Sequence, residues 1–72
     1  MLKTYTTFMR FVNYDQAGID LWTNVAKNAT DAAQREYCKA MINVHQEAID
    51  GLCVTYPIFA TLYKLNKARS AS

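Results

Sequence analysis

The chain has 72 residues, of which 51% are hydrophobic, and a formal net charge of +2. That length allows one domain and leaves no room for a walled substrate cleft with a separate scaffold. The hydrophobic half excludes a disordered tail, and at the usual per-residue figure the stability is roughly 4–10 kcal/mol. The small net charge hides an asymmetry. Lys3, Arg10, Lys64, Lys67 and Arg69 make the two ends purely basic, while the stretch from Asn13 to Leu62 carries a net charge of −3. Basic ends can touch phosphate or anionic lipid.

Met1 to Tyr5 has no continuous apolar core followed by a cleavage site, so no secretory signal is read there. The longest uncharged run, Gly51 to Tyr63, is too short to span a bilayer. The expectation is a cytoplasmic chain with two reduced cysteines. The sequon Asn28-Ala29-Thr30 is then better explained as turn and cap residues.

Glycine and proline are scarce, limited to Gly18, Gly51 and Pro57, and apolar residues recur at spacings of three and four. The pattern predicts an all-α bundle of three to four helices. In the first segment Phe8, Val12, Ile19, Trp22, Ala26 and Ala29 share a face, interrupted by Asp15 and Gly18. Asn13 and Gln16 have the spacing of a capping box. The reading is a helix at about 4–12, a break, and a second helix at about 14–28. The aromatic- and Thr-rich Tyr5–Val12 part also has the composition of a strand, which would need a pairing partner from another chain. Trp22 is placed in the core.

The next helix, about 30–54, is central to the prediction. Thr30 can cap it, and Asp31 suits the positive end of its dipole. It is apolar on two adjacent stripes, whereas a surface helix normally buries one. Ala33, Tyr37, Ala40, Met41, Val44, Ala48 and Leu52 form the first, read as the intramolecular core. Cys38, Ile42, His45, Ile49, Cys53 and Tyr56 form the second, whose cover is either the N-terminal helix or a second copy. The near-symmetry of Cys38 and Cys53 about His45 predicts a two-fold homodimer through Cys38, Ile42, His45, Ile49 and Cys53. Gly51 either ends this helix or allows close helix approach. The last helix, about 57–67, starts at Pro57. Ile58, Leu62 and Leu65 are read as its inner face, and Lys64, Lys67 and Arg69 suit its negative dipole end.

No chemistry is assembled by this pattern. Cys38 and His45 stand about 10 Å apart along a helix, and no close-spaced ligand pair for zinc is present. Neither cysteine has the base and orienting group that a thiolate nucleophile needs. No phosphate loop or HExxH motif occurs. The chain is therefore expected to be non-enzymatic, with no metal or cofactor. The expected function is protein binding, as a small inhibitor or adaptor docking on a larger partner; some bacteriophage and mobile-element proteins that modulate host machinery share this size and lack of chemistry. The expected contact residues are Tyr5, Phe8, Phe11, Tyr14, Tyr56, Phe59 and Tyr63. Two alternatives are nucleic-acid binding through Lys64, Lys67 and Arg69 and lipid-surface association of the 54–65 segment.

Overall fold

The computed structural model describes residues 2–71; Met1 and Ser72, at the ends of the predicted 1–72 domain, lie outside the described residues. Three helices follow one another: α1 (Tyr5–Lys27), α2 (Ala32–Thr55) and α3 (Pro57–Ala71). The fold is all-helical among the described residues, and the Tyr5–Val12 segment is helix, not strand.

Side-chain caps set the helix starts. Thr4 stands at the N-cap of α1 in extended conformation, and its hydroxyl accepts from the Thr7 N–H at 3.1 Å. Asp31, not Thr30, caps α2: its carboxylate accepts from the Gln34 N–H at 2.7 Å. Both satisfy one of the free N–H groups of a first turn. Asn28 closes α1, with its backbone N–H directed to the carbonyls of Ala26 and Val25. At the other junction one residue serves both helices. Tyr56 ends α2 by donating to the Leu52 carbonyl, and its own carbonyl accepts from the Ala60 N–H at 2.9 Å. Pro57 then opens α3, where its missing N–H costs nothing.

The predicted break near Asn13–Gly18 is absent, and α1 runs through it. The capping box does not form: Gln16 reaches forward one turn to Asp20 at 3.0 Å. Gly51 likewise neither ends α2 nor receives another helix. The helix continues to Thr55, and a Cβ at Gly51 would meet nothing within 4 Å. α3 extends to Ala71, beyond the expected end near residue 67.

α1 and α2 form an antiparallel hairpin, and α3 packs back over the N-terminal end of α1. The fully enclosed apolar residues among those described are Phe8, Val12, Cys38, Ile49 and Ala60. The Phe8 ring is wholly buried among aromatic neighbours, with centroids of Phe59 at 5.6 Å, Tyr5 at 6.1 Å, and Tyr56 and Tyr63 each at 6.4 Å. Two hydrogen bonds tie the rim of this cluster: the Tyr56 hydroxyl accepts from the Leu2 N–H, and the Asn66 side-chain amide donates to the Tyr5 hydroxyl, both at 3.1 Å. Such ring pairs add about 0.5–1.5 kcal/mol each beyond area burial.

The molecule is open. Its radius of gyration is 14.1 Å, against roughly 11 Å for a compact 72-residue domain. It exposes 5381 Å², where a compact monomer of 8.2 kDa exposes roughly 4,500 Å². Phe8→Ala should cost about 3–5 kcal/mol, a large share of total stability, and release α3 from the hairpin. Urea unfolding followed by circular dichroism measures it, and Tyr14→Ala, at a 72% exposed site, should stay within about 0.5 kcal/mol of the parent.

Candidate functional site

The second stripe of α2 is the one the fold buries. Cys38 and Ile49 are enclosed, and Ile42, His45, Cys53 and Tyr56 are half-buried. Of the residues predicted for a dimer interface, Cys38 and Ile49 are enclosed within the chain and His45 faces α1. The decisive contact is polar. The imidazole Nδ1 of His45 lies 2.9 Å from Asp15 Oδ1 on α1, with side chains 15% and 13% exposed. A carboxylate accepts there, so Nδ1 carries the proton. The ring is seated in the space left by Gly18: an added Cβ would lie 2.5 Å from its Nε2 and 2.7 Å from its Cδ2 and Cε1. Asp15 and Gly18 therefore interrupt the apolar face of α1 because an imidazole from α2 occupies the gap.

Chemically this pair is a helix-to-helix clamp. An imidazole oriented by a carboxylate has the form of a general base, yet its free nitrogen abuts the Gly18 backbone position. Among the described residues no hydrogen bond joins His45 to Cys38 or Cys53, both free thiols, and no group of three His, Cys, Asp or Glu side chains could hold a metal ion.

The predicted contact aromatics divide into two sets. Phe8, Tyr5, Tyr56, Phe59 and Tyr63 are the α1–α3 core described above, with Phe8 fully buried and the others half-buried. Phe11 and Tyr14 alone of that group are open, at 50% and 72% exposure. They border the first stripe of α2, which the residue pattern places in the core. The first stripe of α2 is largely wet: Ala33, Tyr37, Ala40, Val44 and Ala48 are exposed, and Met41 and Leu52 are half-buried. Tyr37, Met41, Val44 and Ala48 fall within about 60° of arc on α2, and Phe11, Tyr14 and Leu21 within about 80° on α1. Two ring contacts join the strips. Trp22, half-buried, meets the Tyr37 ring edge-on at 5.5 Å, and Tyr14 meets His45 at 6.1 Å. Between them runs a shallow groove over Gly18, lined by Tyr14, Ala17, Leu21, Trp22, Met41 and His45. The result is one apolar face across the hairpin.

α3 is also turned relative to expectation. Phe59, Ala60 and Tyr63 face inward, leaving Ile58 at 76%, Leu62 at 42% and Leu65 at 58% exposure. The basic residues do not make a stripe. Lys67 lies over the Tyr63 ring, 5.7 Å from its centroid, and Arg69 falls about 160° away from it around the helix. Among the described residues no helix is long and apolar enough to cross a membrane. No family model, curated protein or solved structure matches the chain.

The two glycines should respond oppositely to the same change. Gly51→Ala, into open space, should stabilise by about 0.5–1 kcal/mol through helix propensity. Gly18→Ala should destabilise by about 1–3 kcal/mol, because the His45 ring must move. Chemical denaturation of both variants checks this. In a second experiment, Asp15→Ala and His45→Ala should each cost about 1–2 kcal/mol, with the double variant less destabilised than the sum by about 0.5 kcal/mol or more; strict additivity would refute the clamp.

Proposed function

We propose that this chain is a small, non-enzymatic protein-binding protein that docks the open face of its α1–α2 hairpin on a larger partner, as an inhibitor or adaptor. One observation carries the reading: Tyr14, Leu21, Tyr37 and Val44 stand 57–72% exposed on a single connected surface. Isolated exposed apolar residues are ordinary, but a contiguous patch marks an interaction site. The patch has the composition of an interface centre, with aromatic rings prominent. Polar positions lie at its edges, including Arg10, which lines a shallow depression with Thr7, Phe11 and Tyr14.

The area supports the same reading. The exposed surface exceeds that of a compact chain of this mass by on the order of 800–900 Å². A standard protein–protein interface covers about 800 Å² on each partner. The basic side chains of α3 are spread around the helix, which is a poor match to a line of phosphates, so nucleic-acid binding is the weaker reading. The face is built on two helices joined by the His45–Asp15 contact, which sets its two strips side by side before a partner arrives. Such preorganisation reduces the ordering cost of association.

Leu21→Glu and Val44→Glu place a charge in the middle of the face at exposed sites, with an expected stability change within about 1 kcal/mol. Each should abolish retention of the specific partner that the parent chain captures from its host's lysate, while Val54→Glu, on a residue 82% exposed and outside the face, should retain it. Equal retention by all three variants would sink the proposal, and nuclease-sensitive retention would redirect it to nucleic acid.

A further inference from the structure

Between α1 and the second half of α3 lies a cleft whose chemistry differs from that of the hairpin face. We propose that it binds a small planar aromatic carboxylate, with the ring between Tyr5, Met9 and Tyr63 and the carboxylate on Lys67. The cleft encloses about 310 Å³, at the lower end of the range for small-molecule sites. Tyr5, Met9 and Gln16 line it from α1, and Tyr63, Asn66 and Lys67 line it from α3. The three α3 residues, with Ser70, fall within about 100° of arc, so one side of that helix faces the space. The aromatic walls and Met9 are half-buried, which leaves them open to a ligand on the cleft side.

The walls and the rim set the ligand's chemistry separately. Two tyrosine rings and a thioether favour a flat ring between them. The polar groups at the rim are donors. The Asn66 side-chain amide donates to the Tyr5 hydroxyl at 3.1 Å. That bond uses the Tyr5 oxygen as acceptor and one of the two amide protons, leaving the Tyr5 O–H and the second Asn66 N–H to donate. The Ser70 hydroxyl is turned to the Asn66 carbonyl, and the Gln16 amide to Asp20. Lys67 supplies the charge: its ammonium stands 5.7 Å from the Tyr63 ring centroid. Among the described residues no acidic side chain lines the cleft, and 57–72 contains none. The carboxylates of Glu36 and Asp15 are engaged elsewhere, by Lys39 and His45. An ammonium, a phenol O–H and an amide N–H together suit an oxyanion, through charge-assisted hydrogen bonds. Because the cation lies over the face of a wall ring, the anion and the flat body of the ligand must be adjacent, as they are when a carboxylate is joined directly to an aromatic ring.

NMR titration of the isotope-labelled full chain with β-naphthoate tests this. Saturable shifts are expected at the backbone amides of Tyr5, Met9, Tyr63 and Lys67, with a Kd on the order of 1 mM for so small a ligand in an open cleft. Lys67→Met, at an exposed site, should raise the Kd by about 5-fold or more with circular dichroism unchanged. Lys67→Arg should keep it within about 2-fold, since a cation is retained. Lys39→Met, which removes a cation on α2 away from the cleft, should leave it unchanged. The neutral isostere β-naphthamide should bind about 5-fold or more weakly than β-naphthoate. The hairpin variants Leu21→Glu and Val44→Glu should bind β-naphthoate as the parent does, which keeps this proposal separable from partner docking. An absence of saturable shifts up to about 10 mM, undiminished binding by Lys67→Met, or equal binding of the amide would each overturn it. Shifts confined to the groove over Gly18 would also overturn it and assign the aromatic ligand to the hairpin face.

Discussion

Phe8 is the one side chain on which all three helices depend. It belongs to α1, its ring edge meets Tyr56 at the α2–α3 junction, and Phe59 and Tyr63 close on it from α3. Two long helices can pair along their length, but a third of 15 residues must find its contacts at one end. The aromatic cluster supplies them. Large rings bury much area per residue and interlock edge to face, so a few side chains can hold α3 where a longer aliphatic seam is lacking. Building the core from rings at one end leaves the remaining apolar surface of α3, and much of the hairpin, uncovered.

The hairpin solves a different problem. A polar pair sits where an apolar contact would be expected, and it is tolerated because every part of it is matched. Asp15 accepts, His45 donates, and Gly18 leaves the space the ring fills. Half-buried polar groups are costly when unpaired and specific when paired. This joint fixes the register of α2 against α1, because sliding by one turn would remove the imidazole from its only gap. The same joint sets the two apolar strips of the open face side by side.

These two devices explain why the molecule exposes so much. The enclosed residues are few, and apolar side chains remain outside on two surfaces with different character. One is broad, aromatic and spread over two helices. The other is narrow, aliphatic and near-symmetric on one helix, with cations confined to half its length.

Much of the local structure was legible in the residues. Scarce breakers, Pro57 as a helix start and the polar turn around Asn28–Asp31 locate the two junctions between helices, since these signals act within a few residues of the chain. Gly18 misled because a glycine and an aspartate on an apolar face look the same whether they break a helix or receive a side chain from another one. The partner, His45, lies 30 residues away in sequence. The stripes of α2 were visible as two, but which one turns inward depends on what α1 brings to it. The small residues Ala33, Ala40 and Ala48 read as close packing, yet Phe8, Val12 and the Asp15–Gly18 notch fit the side bearing Cys38, His45 and Ile49. On α3 the aliphatic spacing of Ile58, Leu62 and Leu65 outweighed the aromatics on paper. In space the rings around Phe8 claimed the inside, because an enclosed ring buries more surface than a leucine does. The sequence alone thus determined that the chain is helical, that turns fall near Asn28–Asp31 and Pro57, and that one helix is apolar on two sides. Only the tertiary structure decided which faces stay open, because helix rotation is set by contacts between residues far apart in the chain.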